Sequence, residues 1–212
     1  MKTLVRIVVV ILVIGVIAYT IYRYRAALGL AGHPTSQESE SSEQTSSESR
    51  PAPIVWQALD RSPDGFRVEM PAGTRQTEIP AYDQHGEIDR VDMIYAYPDS
   101  QTTYAVTWAD NPPVERASGD GAERTLDLAR DGALARTQAT LAGESRDSRG
   151  GFPARDFSGR NGGGGIFNAR LILAGRRLYM LIATFPAASA RSDEDVHRFF
   201  DSFKLTQDAN NN

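Results

Sequence analysis

The run from Leu4 to Tyr22, LVRIVVVILVIGVIAYTIY, is apolar apart from Arg6 and Thr20. A helix that is apolar all round belongs in a large core or in a membrane. As a helix its roughly 19 residues reach about 28 Å, close to the hydrocarbon thickness of a bilayer. Lipid forces each backbone amide to find its partner inside the segment, so the β-branched Val and Ile that weaken helices in water are no obstacle there. Arg6 can snorkel to one headgroup layer, and Tyr19, Tyr22 and Tyr24 mark the other. The expectation is a transmembrane anchor over residues 1–25, with the lipid bilayer as the partner of residues 4–22. A cleaved signal peptide is the competing reading, since Lys2 and Arg6 make a basic start and LGLAG precedes His33. Arg23 and Arg25 directly after a long apolar stretch favour retention. The flanking charges, narrowly balanced, place the N-terminus in the cytoplasm and the C-terminal domain outside it.

Residues 26–53 follow, and their stretch HPTSQESESSEQTSSESRPAP has no large apolar side chain. Such a segment cannot bury a core, so a disordered, self-repelling Ser/Glu-rich linker is expected. What remains, residues 54–205, is enough for one folded domain, with a disordered tail over 206–212.

Charge and cysteine usage narrow the function classes. A net charge of -4 and a pI near 5.4 give no basic excess for a nucleic-acid surface. All but two of the 23 basic residues are arginines, scattered among Asp and Glu rather than gathered in a patch. The absence of cysteine excludes disulfides, thiolate metal sites, iron-sulfur clusters and a Cys nucleophile.

Within the domain most signals have period two. FRVEM sets Phe66, Val68 and Met70 on one strand face before a Pro-Ala-Gly stop. Val91, Met93, Tyr95 and Tyr97 alternate up to PDS, and Tyr104, Val106 and Trp108 alternate after it, which predicts an antiparallel hairpin turning at Pro98 to Ser100. Gly121 to Leu141 changes to a spacing of three or four, through Ala122, Leu126, Ala129, Ala133, Thr137 and Leu141, and predicts an amphipathic helix with Gly143 as its C-cap. Leu178 to Phe185 is apolar on both faces and predicts a central strand. The last segment predicts a helix opened by Ser192, whose Val196, Phe199, Phe200 and Phe203 dock on the sheet. The order of elements argues for an α+β fold, a mostly antiparallel sheet sandwiched by helices, preceded by the single transmembrane helix and the linker.

FRVEMP, GFPARDFSG, ARLILAGRRLYMLIATFP and DVHRFFDSFKL, taken together, resemble the PsbP-like domain over Ile54 to Leu205. That fold is known from the extrinsic subunit of the photosystem II oxygen-evolving complex, from a Ran-binding nuclear import factor and from bacterial envelope proteins. The resemblance implies a binding or assembly module and carries no functional residue over to this chain. The anchor and tether depart from the photosynthetic subunit.

Two segments offer chemistry. The glycines of GRNGGGGIFNARLIL invite a phosphate-loop reading, but Ile166, Phe167 and Asn168 follow them where a P-loop needs Lys and Ser or Thr, and the continuation is strand-like. A hairpin loop is expected. In DQHGEID, Asp83, His85, Glu87 and Asp89 fall at every second residue and, if extended, set one imidazole and three carboxylates on one face, a nitrogen and oxygen set suited to a divalent metal. Gly86 in its middle equally suits a polar turn. His197 is expected on the outer side of the last helix and His33 lies in the linker, so neither is placed as a general base, and no serine sits in a G-x-S-x-G elbow. The preferred expectation is therefore a single-pass membrane protein displaying a non-enzymatic binding or assembly module, with no cofactor and no nucleic acid, whose partner is another envelope protein or a small ligand. The alternative is a metal-dependent enzyme centred on His85 and its acidic neighbours.

Overall fold

The computed structural model describes residues 53–82, 88–110, 120–187 and 193–206. The expected anchor, nearly all of the linker and the tail after Thr206 lie outside these residues. No helix among the described residues is long and apolar enough to cross a membrane.

Among the described residues ten strands and two α-helices follow in chain order: β1 (Trp56–Arg61), β2 (Phe66–Pro71), β3 (Arg75–Tyr82), β4 (Ile88–Ala96), β5 (Thr103–Asp110), α1 (Asp120–Thr137), β6 (Ala139–Arg149), β7 (Phe152–Asn161), β8 (Gly165–Ala174), β9 (Arg177–Pro186), α2 (Asp193–Ser202) and β10 (Lys204–Leu205), with a 3-10 turn at Ser62–Asp64. Seven strands form one sheet in the order β3-β4-β5-β9-β8-β7-β6, and every neighbouring pair is antiparallel. A second, three-stranded sheet runs β1-β2-β10.

Alternation along the central strands divides the core in two. Ala105, Met180, Ile182, Leu171 and Leu173 point to one face, where α1 lays Ala122, Leu126, Ala129 and Ala133 on them. Tyr104, Val106, Trp108, Tyr179, Leu181 and Ile172 point to the other, covered by Phe66, Val68 and Met70 of β2 and by Val196, Phe199 and Phe200 of α2, with Phe203 just after it. The fold is thus three-layered, and the second face is closed by a small sheet together with a helix rather than by a helix alone. α2 is stitched to β2 through Ser202, whose Oγ accepts from the Glu69 amide at 2.9 Å and donates to the Phe199 carbonyl at 2.7 Å.

One expected boundary moves. The helix predicted to reach Leu141 stops at Thr137, where Gln138 turns left-handed at φ 51°. Residues 139–149 form β6, and Gly143 sits at its register irregularity against β7 rather than capping a helix. The polar sequence of β6 has no apolar alternation, because most of the strand is exposed. The approach of α1 to β7 depends on Gly159: a Cβ there would lie 2.7 Å from Leu134 Cδ2 and 3.2 Å from the Thr140 carbonyl.

Candidate functional site

The glycine run is a hairpin between β7 and β8, and the amides of Gly163, Gly164 and Gly165 are already committed. The Asn161 side chain accepts from Gly163 N at 3.1 Å and Gly165 N at 2.7 Å, while its carbonyl accepts from Gly164 N at 3.1 Å. A carboxamide thus occupies the position a phosphate oxygen would need, and the loop serves the chain reversal.

Of the metal candidates, Asp83, His85 and Glu87 lie outside the described residues, and Asp89 falls on β4 with its side chain undescribed. Among the described residues no group of three His, Asp or Glu is placed to hold a metal. His197 is exposed, on the side of α2 away from Phe199 and Phe200.

A concave feature lies elsewhere among the described residues. Where the β6–β7 turn, the middle of β8, the end of α2 and β10 converge, a half-open cleft of about 540 Å³ forms. The β6–β7 turn is a two-residue reversal at Gly150 and Gly151, whose φ values of 61° and 84° match the left-handed pair that suits a twisted hairpin. Ile172, Phe203 and Leu205 supply apolar surface, and Arg149, Arg170 and Lys204 supply positive charge beside Asp201.

Arg170 is the buried wall of this cleft. Its Nε and Nη2 each donate to Asp156 at 2.8 Å, and Nη1 donates to the Phe200 carbonyl at 2.8 Å and to Asp201 at 3.2 Å. The guanidinium also stacks over the Phe200 ring at 5.1 Å. Burial pulls its pKa down, but Asp156 and Asp201 outweigh burial and hold it above the ordinary arginine value. It therefore binds β7, β8 and the Phe200 carbonyl near the end of α2 together, with the cation at the negative end of the helix.

Arg149 is more available. Its Nη2 pairs with Asp147 at 2.8 Å and lies 3.7 Å from Asp156, while its buried Nε has no hydrogen-bond partner among the described residues. Lys204 is exposed at the mouth. The arrangement offers apolar contact beside two cations whose charge is only partly answered, so it suits an amphipathic ligand or segment with one acidic group.

The sequence did not disclose these arginines. Arg170 stands inside the apolar run ARLIL, where the only available signal is that a charge at a buried strand position must have partners. Asp156 and Asp201, which provide them, are distant in the chain.

No protein-family model matches the chain, and no curated protein matches it. Among solved structures, the solution structure of cyanobacterial PsbP (CyanoP) from Synechocystis sp. PCC 6803 is similar, at 13% identity and a TM-score of 0.49, over 73% of this chain and 95% of that one. The crystal structure of a protein of unknown function, PA94, from Pseudomonas aeruginosa is similar at 13% identity and a TM-score of 0.33, over 67% of this chain and 88% of that one. The first carries the PsbP name of the fold that the sequence resembles.

Proposed function

We propose that the chain is a single-pass membrane protein that holds a non-enzymatic binding or assembly module outside the cytoplasm, and that the cleft bounded by Arg149, Arg170 and Lys204 is where the module takes its partner. The observation that supports this reading is the pairing of an apolar floor with a positive rim in one concave place. Its partner is an acidic segment of another envelope protein or a small amphipathic anion. The run of residues 4–22 supports the anchor, and the Ser/Glu-rich stretch supports a spacer that lifts the module off the lipid.

A photo-crosslinking side chain placed at Lys204 in the full-length protein, in its native membranes, tests the reading. A discrete adduct from that position, absent from His197 on the far side of α2 and lost with Arg149→Glu, is the expected result. Equal labelling from both positions, or none, removes the cleft from consideration. Extraction of the unprocessed chain from membranes by alkaline carbonate would remove the anchor.

A further inference from the structure

The seven-stranded sheet ends on β6, which pairs only with β7 among the described strands. Residues 140–148 are all exposed. The Glu144 side chain keeps just 18% of its surface, yet the residue as a whole is exposed, so solvent reaches its main chain. An edge of this kind presents unpaired N–H and C=O groups, which proteins ordinarily blunt with proline, charged side chains or a bulge. The opposite edge, β3, carries Pro80. β6 has no proline, its irregularity at Leu141/Gly143 leaves 143–149 in unbroken register, and its charges, Glu144, Arg146, Asp147 and Arg149, are two of each sign, so they repel or attract a second copy according to register.

We propose that this edge is an interface between two copies of the chain, joined β6 to β6 in antiparallel register about a twofold axis through Ser145. Symmetry selects the register. A twofold axis normal to the sheet keeps each copy's faces on the same side, and directly opposed residues share a face, so one residue must oppose itself. Glu144, Arg146 or Asp147 at that position sets like charges against each other, which is unfavourable. Centring on Gly143 creates no opposite-charge pair. Centring on Ser148 overlaps little, because β6 ends at Arg149. Centring on Ser145 overlaps Leu141 to Arg149 and sets Glu144 opposite Arg146 of the second copy, twice.

Both pairs extend a network that exists within each copy. On the α1 face Glu144 already meets Arg130 at 2.5 Å and Arg155 at 3.0 Å, and Arg146 meets Glu123 at 3.3 Å. Because the axis preserves faces, β1 of each copy lies on the same side of the joined sheet. The two N-terminal segments therefore leave from one side, as two chains anchored in one bilayer require; this and the membrane confinement that follows rest on the proposed anchor. Confinement to a membrane raises the effective concentration enough for a modest polar interface to form. The inference stands whether or not the cleft takes a ligand.

The chain has no cysteine, so one introduced thiol reports the register in the full-length protein in its native membranes. Opposed Cβ atoms in an antiparallel pair lie about 4.5–5.5 Å apart, within small adjustments of disulfide reach. Under copper-phenanthroline oxidation Ser145→Cys gives a covalent dimer. Ser148→Cys stays monomeric, since in this register it sits about 20 Å from its counterpart. Adding Arg146→Glu to Ser145→Cys sets glutamate against Glu144 and lowers the dimer yield at least fivefold, while the position, 64% exposed, leaves the fold intact. Monomeric Ser145→Cys, equal crosslinking of Ser148→Cys, or indifference to Arg146→Glu overturns the proposal.

Discussion

The two faces of the seven-stranded sheet are closed by different physics. The α1 face is mainly aliphatic, with Phe157 and Phe167 as its buried ring pair at 5.8 Å, small residues bringing the helix close and a charged network sealing its rim. Arg155 is fully buried there between Glu123, Asp127 and Glu144, and Arg130 joins Asp127, Asp131 and Glu144. Nη2 of Arg155 donates to Glu123 at 2.6 Å and Nη1 to Asp127, while its Nε meets Glu144 at 3.0 Å as an ion pair outside hydrogen-bonding alignment. The opposite face is aromatic. Phe66 stacks on Phe203 at 5.3 Å and meets Trp108 and Tyr179 edge-on at 5.1 and 5.8 Å, and Tyr104 meets Phe199 at 5.2 Å. Small residues let a helix approach as a unit, whereas interlocked rings, helped by the Ser202 and Arg170 hydrogen bonds, join the small sheet and α2 to the large sheet. The candidate cleft opens at the rim of the second kind of closure, where parts meet rather than merge.

The largest test of this contrast is Phe66→Ala. Its ring touches three others at once, so truncation should cost about 3–5 kcal/mol in urea unfolding. Leu126→Ala, equally buried against the α1 face, should cost about 2–4 kcal/mol, because an alanine-rich neighbourhood has less to lose. Equal losses, or a larger loss at Leu126, would erase the distinction between the faces.

Arg155→Met comes next. It keeps much of the volume and leaves three carboxylates facing one another, which should cost about 3 kcal/mol, at the low end for a broken buried ion pair because those carboxylates are partly exposed. Adding Glu144→Gln should recover part of the loss, and strict additivity of the two changes would show that the network is not coupled. Gly159→Ala should cost less, about 1–3 kcal/mol, since its methyl would press on Leu134 and force α1 outward.

How much of this was legible follows from where apolar periodicity survives. FRVEM, the Val91 to Trp108 hairpin, the central strand at Leu178 to Phe185 and the phenylalanines of α2 were readable because each has a face buried in the core. β6 was hidden because nine of its eleven residues are exposed, so nothing alternates, and Gly143 then passed for a helix cap. Arg155 and Arg170 were hidden for a different reason. Their partners lie 11 to 32 residues away, and a local window reads an isolated arginine as surface. The cleft inherits that illegibility, being assembled from four elements that meet only in the fold.

The smallest effect concerns Asp92, on the aromatic face opposite Trp108 in the β4–β5 register. Its pKa is pushed above the usual aspartate value, first by burial and then by the nearby negative charges of Glu78 and Asp64, which outweigh Arg61 and Arg177. A raised carboxylate holds its proton longer in the folded chain than in the unfolded one, so stability falls as pH rises. Below the unfolded pKa both states are protonated and the group contributes nothing. The penalty then grows as pH climbs through the folded value and is complete above it. Asp92→Asn removes the charge and keeps the shape, so it should raise Tm slightly at pH 7 and leave it unchanged near pH 3. The group is largely solvent-screened, which keeps the gain to a few tenths of a kcal/mol. A lower Tm at pH 7 would mean that Arg61 and Arg177 hold the carboxylate as firmly as Arg155 holds its neighbours, and that the two faces treat charge alike after all.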